Sequence, residues 1–306
     1  MSFVSTSTGS FFKRSLAQMA ELRGAIEVNR TQIATGRRFE RSSEDPVAAA
    51  QLRSVARREA LADVSGDNAA RLGQDLAAAS DEIEAVTALL QRARELAVQA
   101  ASSPTGADGR QAIAFELEQL GQELFSRANG TTLTGEPLFA GLASDPPFVR
   151  DAAGNVVYTG TPSSGAVPVA PGTAIERGLP GNEVFQFTLG GAPSSAFAVI
   201  EGLAAALQGG APDPVAAAAD AIEGIDTALD TVGRAQTIFG TRMAWTEQVQ
   251  QQQADRGIAL AERRSRVGDT DIAEAIARLQ QSLTALEASQ AAFARVSELS
   301  LFDALR

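Results

Sequence analysis

Neither cysteine nor histidine occurs in this sequence. Without cysteine there is no disulfide framework and no thiolate to serve as nucleophile or metal ligand, and a chain without cross-links loses nothing if it crosses compartments unfolded. Without histidine, the usual acid–base side chain near neutral pH, the commonest zinc ligand and every Ser-His arrangement disappear together, so most hydrolytic chemistry is excluded. Lysine is nearly absent as well: Lys13 is the only one. No glycine precedes it as a phosphate-binding loop requires, and no Gly-x-Gly occurs for a dinucleotide fingerprint. No apolar run reaches the roughly 18 residues of a membrane span, and the N-terminus has no secretory hydrophobic segment, so departure from the cytosol requires another route. Aromatics make up only 5% of the chain, which suits closely packed helices better than one thick globular core.

Positive charge is scarce and local. The net charge is −11, while residues 1–60 hold ten basic against six acidic side chains, a balance that argues against a nucleic-acid partner. What the chain does have is length and apolar content, 306 residues at 44% hydrophobic, enough for a sizeable core in more than one compact unit.

The apolar residues are arranged in narrow stripes. From Phe12 they recur at Met19, Leu22, Ile26 and Ile33, interrupted by Asn29, which marks one thin helical line. A second segment alternates steps of four and three through Leu72, Leu76, Ala79, Ile83, Val86, Leu90, Ala93 and Ala97, the pattern of a coiled-coil seam. A shorter helix places Ile113, Leu117, Leu120 and Leu124 on one side, and a later one carries Ile222, Ile225, Leu229, Val232, Phe239 and Met243. The last helix carries Ile272, Ile276, Leu279, Leu283, Leu286 and Phe293, and the chain closes on an apolar tail with Leu301 and Phe302. Between these helices, residues 143–195 hold seven of the twelve prolines with short β-like runs such as "NVVYTG" and "EVFQFTL". They read as a β-rich insertion. The expected fold is mainly α with that insertion, its helical arms pairing antiparallel so that the two termini lie together.

Four aspartates are expected to cap helices: Asp45 before Pro46, Asp108 in "DGRQ", Asp213 before Pro214, and Asp271 with Glu274 as a capping box. In "TGRRFERSSEDPVAAA", Gly36 would end one helix and Asp45 start the next, so this stretch is a joint. Glu44 beside Asp45 could be read as an acid–base or metal pair, but nothing supplies further ligands at suitable spacing. The basic first forty residues could pass for a transit peptide or membrane-surface helix; their thin stripe and Glu21, Glu27 and Glu40 speak against it. "DAAGN" near Asp151 reads as a turn, since its spacing does not match a calcium loop.

"TQIATGRRFERSSEDPVAAA" resembles the N-terminal region of the flagellin superfamily, and "LEASQAAFARVSELSLFDALR" is similar to the C-terminus of the flagellar hook-associated protein 3 family, the distal hook–filament junction proteins. "EPLFAGLASDPPF" resembles that family's passage from helical to variable domain. One departure is "SSED" where many relatives have a paired "DD"; Glu44 keeps the charge. The resemblance implies a flagellin-like antiparallel helical rod with a small β domain at its distal end. It also implies a secreted structural subunit without enzymatic activity or cofactor, exported unfolded by the flagellar type III route. Its implied partners are further copies in a tubular ring, the proximal hook-associated junction protein, flagellin and a cytoplasmic export chaperone.

On that reading residues 1–44 and 266–306 form the tube-lining terminal-helix domain, 45–142 and 210–265 the helical rod, and 143–209 the inserted β-rich domain. The terminal stripes, Met19, Leu22, Ile26, Ile33, Ile272, Ile276, Leu279, Leu283, Leu286, Phe293, Leu301 and Phe302, are the expected assembly interface. An exposed stripe on a lone helix is marginal in water, so these ends are expected to order only on assembly. Ordinary flagellin remains the first alternative and a cytosolic coiled-coil scaffold the second; an enzyme comes last, since only carboxylate, serine or arginine chemistry would remain.

Overall fold

The computed structural model describes residues 3–102 and 106–304, with side chains placed for residues 10–102 and 106–297. In chain order the elements are α1 (Phe3–Thr35), α2 (Pro46–Ser102), α3 (Ala107–Ala128), β1 (Phe148–Arg150), β2 (Val156–Tyr158), β3 (Ala166–Ala170), β4 (Thr173–Glu176), α4 (Gly181–Phe185), β5 (Gln186–Leu189), β6 (Ala192–Ser195), α5 (Ala196–Ala205), α6 (Pro214–Gly268) and α7 (Ile272–Ala304). The chain groups into two compact units: Met1–Ala60 with Gly257–Arg306, and Leu61–Arg256. No described helix is both long and apolar enough to cross a membrane.

In the second unit the expected seam is the core. Leu72, Leu76, Ala79, Ile83, Val86, Leu90, Ala93 and Ala97 of α2 are all buried, as are Ile225, Val232 and Phe239 of α6. The two helices run antiparallel, with Gln250 Nε2 donating to Ala69 O (3.0 Å), Gln236 Nε2 to Ser80 Oγ (3.2 Å) and Arg94 Nε to Asp226 Oδ1 (2.6 Å). Their approach is close where Gly73 faces Thr246 and Gln250: a β-carbon there would lie 3.3 Å from Gln250 Nε2. α3 adds Ile113, Leu117 and Leu124 to the same core, and α5 adds Phe197, Ile200 and Leu203.

The intervening region consists of three separate antiparallel pairs, β1–β2, β3–β4 and β5–β6. Phe148 pairs with Tyr158, Val167 with Ile175 and Phe187 with Ser194. One expected strand is corrected: in "EVFQFTL", Glu183, Val184 and Phe185 belong to helix α4, and only Gln186 onward is strand. Pro180 stands before α4 in an extended conformation with no side-chain cap; the short helix is held by tertiary burial of Val184 and Phe185. Phe185 packs edge-on against Phe139 (5.5 Å between ring centroids) and Phe148 (5.3 Å), while Phe197 lies 5.0 Å from Phe148. Local alternation cannot distinguish such a helical turn from a strand.

Three of the four expected caps are made. Asp45 Oδ1 accepts from Ala48 N (2.9 Å), Asp213 Oδ1 from Val215 N (3.0 Å) and Ala216 N (3.1 Å), and Asp271 Oδ1 from Glu274 N (3.1 Å). Glu274 turns its carboxylate toward Arg278 (3.8 Å) instead of back to the cap. The fourth is corrected: α3 starts two residues earlier than "DGRQ" suggests, with Gly106 at the cap and no side-chain bond there, so Asp108 sits inside the first turn. A carboxylate in that position still favours the helix through its dipole. "DAAGN" is a turn in which Asp151 Oδ1 accepts from Ala153 N (2.9 Å) and Asn155 N (2.8 Å) and Gly154 takes φ +89°. Hydrogen bonds from the Asn155 side chain and backbone hold the Asp151 carboxyl below the usual carboxylate range.

Candidate assembly surface

The two ends of the chain meet in the first unit, where α1 packs along α7. The pairing is antiparallel: the Phe12 and Phe293 rings meet edge to face at 5.1 Å, and at the other end Arg37 bridges Asp269. Met19 and Ile26 are buried in this pair, with Ala275 of α7. Leu22, Ile33, Leu279, Leu283, Leu286 and Phe293 are half-buried.

The two thin stripes meet within the same chain, as the expected antiparallel pairing of the arms requires, and Met19 and Ile26 lie inside that pair. The physical reason is reciprocity: two narrow stripes of matching period bury each other, whereas either alone would stay wet. Leu301 and Phe302 fall within the last turns of α7, but their side chains lie outside the described residues.

Part of the predicted line stays open on this pair: Ile272 and Ile276, at the start of α7, are 51% and 41% exposed, and on α1 Leu16 and Val28 are 54% and 56% exposed. Leu16, four residues after Phe12 and three before Met19, fits the spacing of the stripe and was passed over, whereas Val28 falls off that line. Small exposed residues, Ala17, Ala20 and Gly24, lie between them and let another backbone approach closely.

The joint that leads into this pair is built of backbone hydrogen bonds. Gly36 takes φ +68°, a left-handed conformation that ends α1 at little steric cost only for glycine. Asp45 then caps α2 and also accepts from Arg38 Nη2 at 2.8 Å, while Glu44 Oε2 accepts from Glu40 N at 3.1 Å. Both acids are thereby used locally, and among the described residues no group of three or more acidic, histidine or cysteine side chains is placed to hold a metal. Asp45→Ala removes the cap and leaves Arg38 unpaired. Because the ion pair is largely solvated and worth little, the expected loss is about 1 kcal/mol from the cap alone, measured by chemical denaturation of the free chain.

Residues 10–144 match the family model of the bacterial flagellin N-terminal helical region. The chain is similar to flagellar hook-associated protein 3 of Escherichia coli K12, 27% identical over 290 residues, which covers 89% of this chain and 90% of the relative. Among solved structures, Xanthomonas campestris FlgL superposes with a TM-score of 0.61 at 20% identity, covering 68% of this chain and 98% of that one. The flagellar junction protein FlgL of Legionella pneumophila gives 0.58 at 16% identity, covering 72% and 100%. These structural likenesses support the fold.

Proposed function

We infer that this chain, which belongs to the flagellar hook-associated protein 3 family, is a structural subunit of the bacterial flagellum that joins hook to filament and has no catalytic role. The observation that carries the reading is the terminal pair: both ends of the chain pack as two antiparallel helices that bury Met19 and Ile26 and still leave Leu16, Val28, Ile272 and Ile276 exposed. Four large apolar side chains in the wet state on one helix pair are what a subunit needs to bury against neighbours. Residues 1–44 and 266–306 supply the tube-forming contacts between copies. The proximal junction protein and flagellin are the neighbours along the axis, and a cytoplasmic chaperone escorts the chain to the type III export apparatus.

The match to the flagellin N-terminal model keeps the filament subunit itself as the second reading, and stoichiometry separates the two. In cells deleted for this gene, hooks are expected to form while flagellin is shed into the medium. Antibody against the chain should label one point at the base of each sheared filament. Labelling along the whole filament would make it flagellin, and normal filaments in the deletion strain would remove the junction assignment.

A further inference from the structure

The break between α1 and α2 and the break between α6 and α7 are not independent. Arg38 N donates to Gly268 O at 2.8 Å and Thr270 N donates to Gly36 O at 2.9 Å, so the two linkers form one antiparallel bridge with Arg37 opposite Asp269. Each linker is also fastened to its own helix end. Gln32 Nε2 donates to Arg38 O at 2.7 Å and Gly36 N to Gln32 O at 2.9 Å on one side, and Asp269 N donates to Ser265 O at 2.9 Å on the other.

We propose that these two breaks are a single coupled hinge, so that α1 and α7 change direction together, as a hairpin, and not one at a time. A bridge of one residue pair has the geometry of a pin. Its two hydrogen bonds resist separation and sliding of the linkers, but no second pair stands beside it to resist rotation, as a longer ladder would. Gly36 is the residue the pin depends on. Its φ of +68° turns its carbonyl toward Thr270, and nothing lies within 4 Å of the position a β-carbon would take, so the constraint there is conformational and not one of space. On the other strand Gly268 packs on Leu52, which a β-carbon would meet at 3.3 Å. The bridge therefore rests against the start of α2. The hinge is a property of the free chain; only its use, in letting the terminal pair adapt to different neighbours below and above, rests on the junction reading.

The chain has no cysteine, which makes a cross-link test clean. Arg37 and Asp269 are the pair flanked by the two hydrogen bonds, where facing Cα atoms stand about 4.5 Å apart, inside the disulfide range of roughly 4.4–6.8 Å. The Arg37→Cys/Asp269→Cys variant is expected to oxidise fully under mild conditions and keep its helicity. Gly36→Val places a β-branched residue in the left-handed region. It is expected to speed hydrogen exchange at the α7 amides from Ala275 to Leu279 roughly tenfold, although the substitution is in the other linker. Oxidising the cysteine pair in the Gly36→Val background should return that exchange toward wild type. Packing of α1 on α7 alone, with no contribution from the joint, predicts that the disulfide restores nothing. A pair that stays reduced, an α7 that remains protected in Gly36→Val, or an oxidised triple variant without recovery each overturns the coupled hinge. All readouts are on the free chain, so they stand apart from whether filaments form.

Discussion

Replacing Ile272 and Ile276 together by aspartate is expected to leave the free chain folded and to abolish its assembly. Both side chains are at least two-fifths exposed, so the monomer loses little apolar burial, and surface substitutions of this kind fall within about 0.5 kcal/mol. Ile272 is the first residue of α7, where an added carboxylate also complements the helix dipole. In an assembly that covers these residues the balance reverses. Each isoleucine would contribute roughly 1.5–3 kcal/mol on burial, and an unpaired carboxylate in its place carries a further desolvation cost. Losing about 3 kcal/mol or more corresponds to at least a hundredfold weaker association. Circular dichroism and denaturation of the variant should match wild type, while sedimentation of assembled material and filament growth in cells should fail. Wild-type assembly by this variant would remove Ile272 and Ile276 from the interface. The contrasting variant Met19→Asp puts its charge in the closed seam and should instead separate α1 from α7 in the monomer.

The largest loss of folding stability is expected from Phe148→Ala. Phe148 is 1% exposed and its ring lies 5.0–5.3 Å from Phe197, Phe185 and Tyr158. Gly181 admits it: a β-carbon there would approach the Phe148 ring to 2.7 Å. The backbone cannot move in to fill the space, because Asn129 clasps it, receiving from Phe148 N at 3.0 Å and donating to Phe148 O at 3.1 Å. A cavity held open in this way places the substitution at the costly end, about 3–5 kcal/mol, read as a lowered urea midpoint for the unit Leu61–Arg256. Phe148→Leu keeps most of the volume and should cost less than half as much. A loss under about 1 kcal/mol for the alanine variant would mean that the aromatic cluster does not hold this region together.

The positions of α1, α2, α3, α6 and α7 were legible because each carries a stripe of the correct period, and the seam of α2 is buried at every residue of the pattern from Leu72 to Ala97; α5, inside the segment read as β-rich, was not. Caps at Asp45, Asp213 and Asp271 were legible for a related reason: cap chemistry is local, set by an acid, a proline or small residue and a free amide within one turn. The same locality misled at Asp108, where the helix begins two residues earlier, and at Val184 and Phe185, which alternate like a strand and yet form α4 because the Phe139, Phe148 and Phe197 rings surround Phe185.

The sequence by itself determined the class of the fold: helices that bury thin seams, a proline- and glycine-rich β region between them, and an N-terminal region similar to that of flagellin. Only the tertiary structure decided which apolar residues of the terminal helices are buried within the chain. A period identifies a stripe but not its partner, since the energy of burying Met19 is the same against α7 of its own chain as against a neighbour's helix. The pairing of α1 with α7 buries Met19 and Ile26 and leaves Leu16, Val28, Ile272 and Ile276 exposed. Likewise, the bridge between Gly36–Arg38 and Gly268–Thr270 joins linkers more than two hundred residues apart through backbone groups alone, and backbone groups are the same in every sequence.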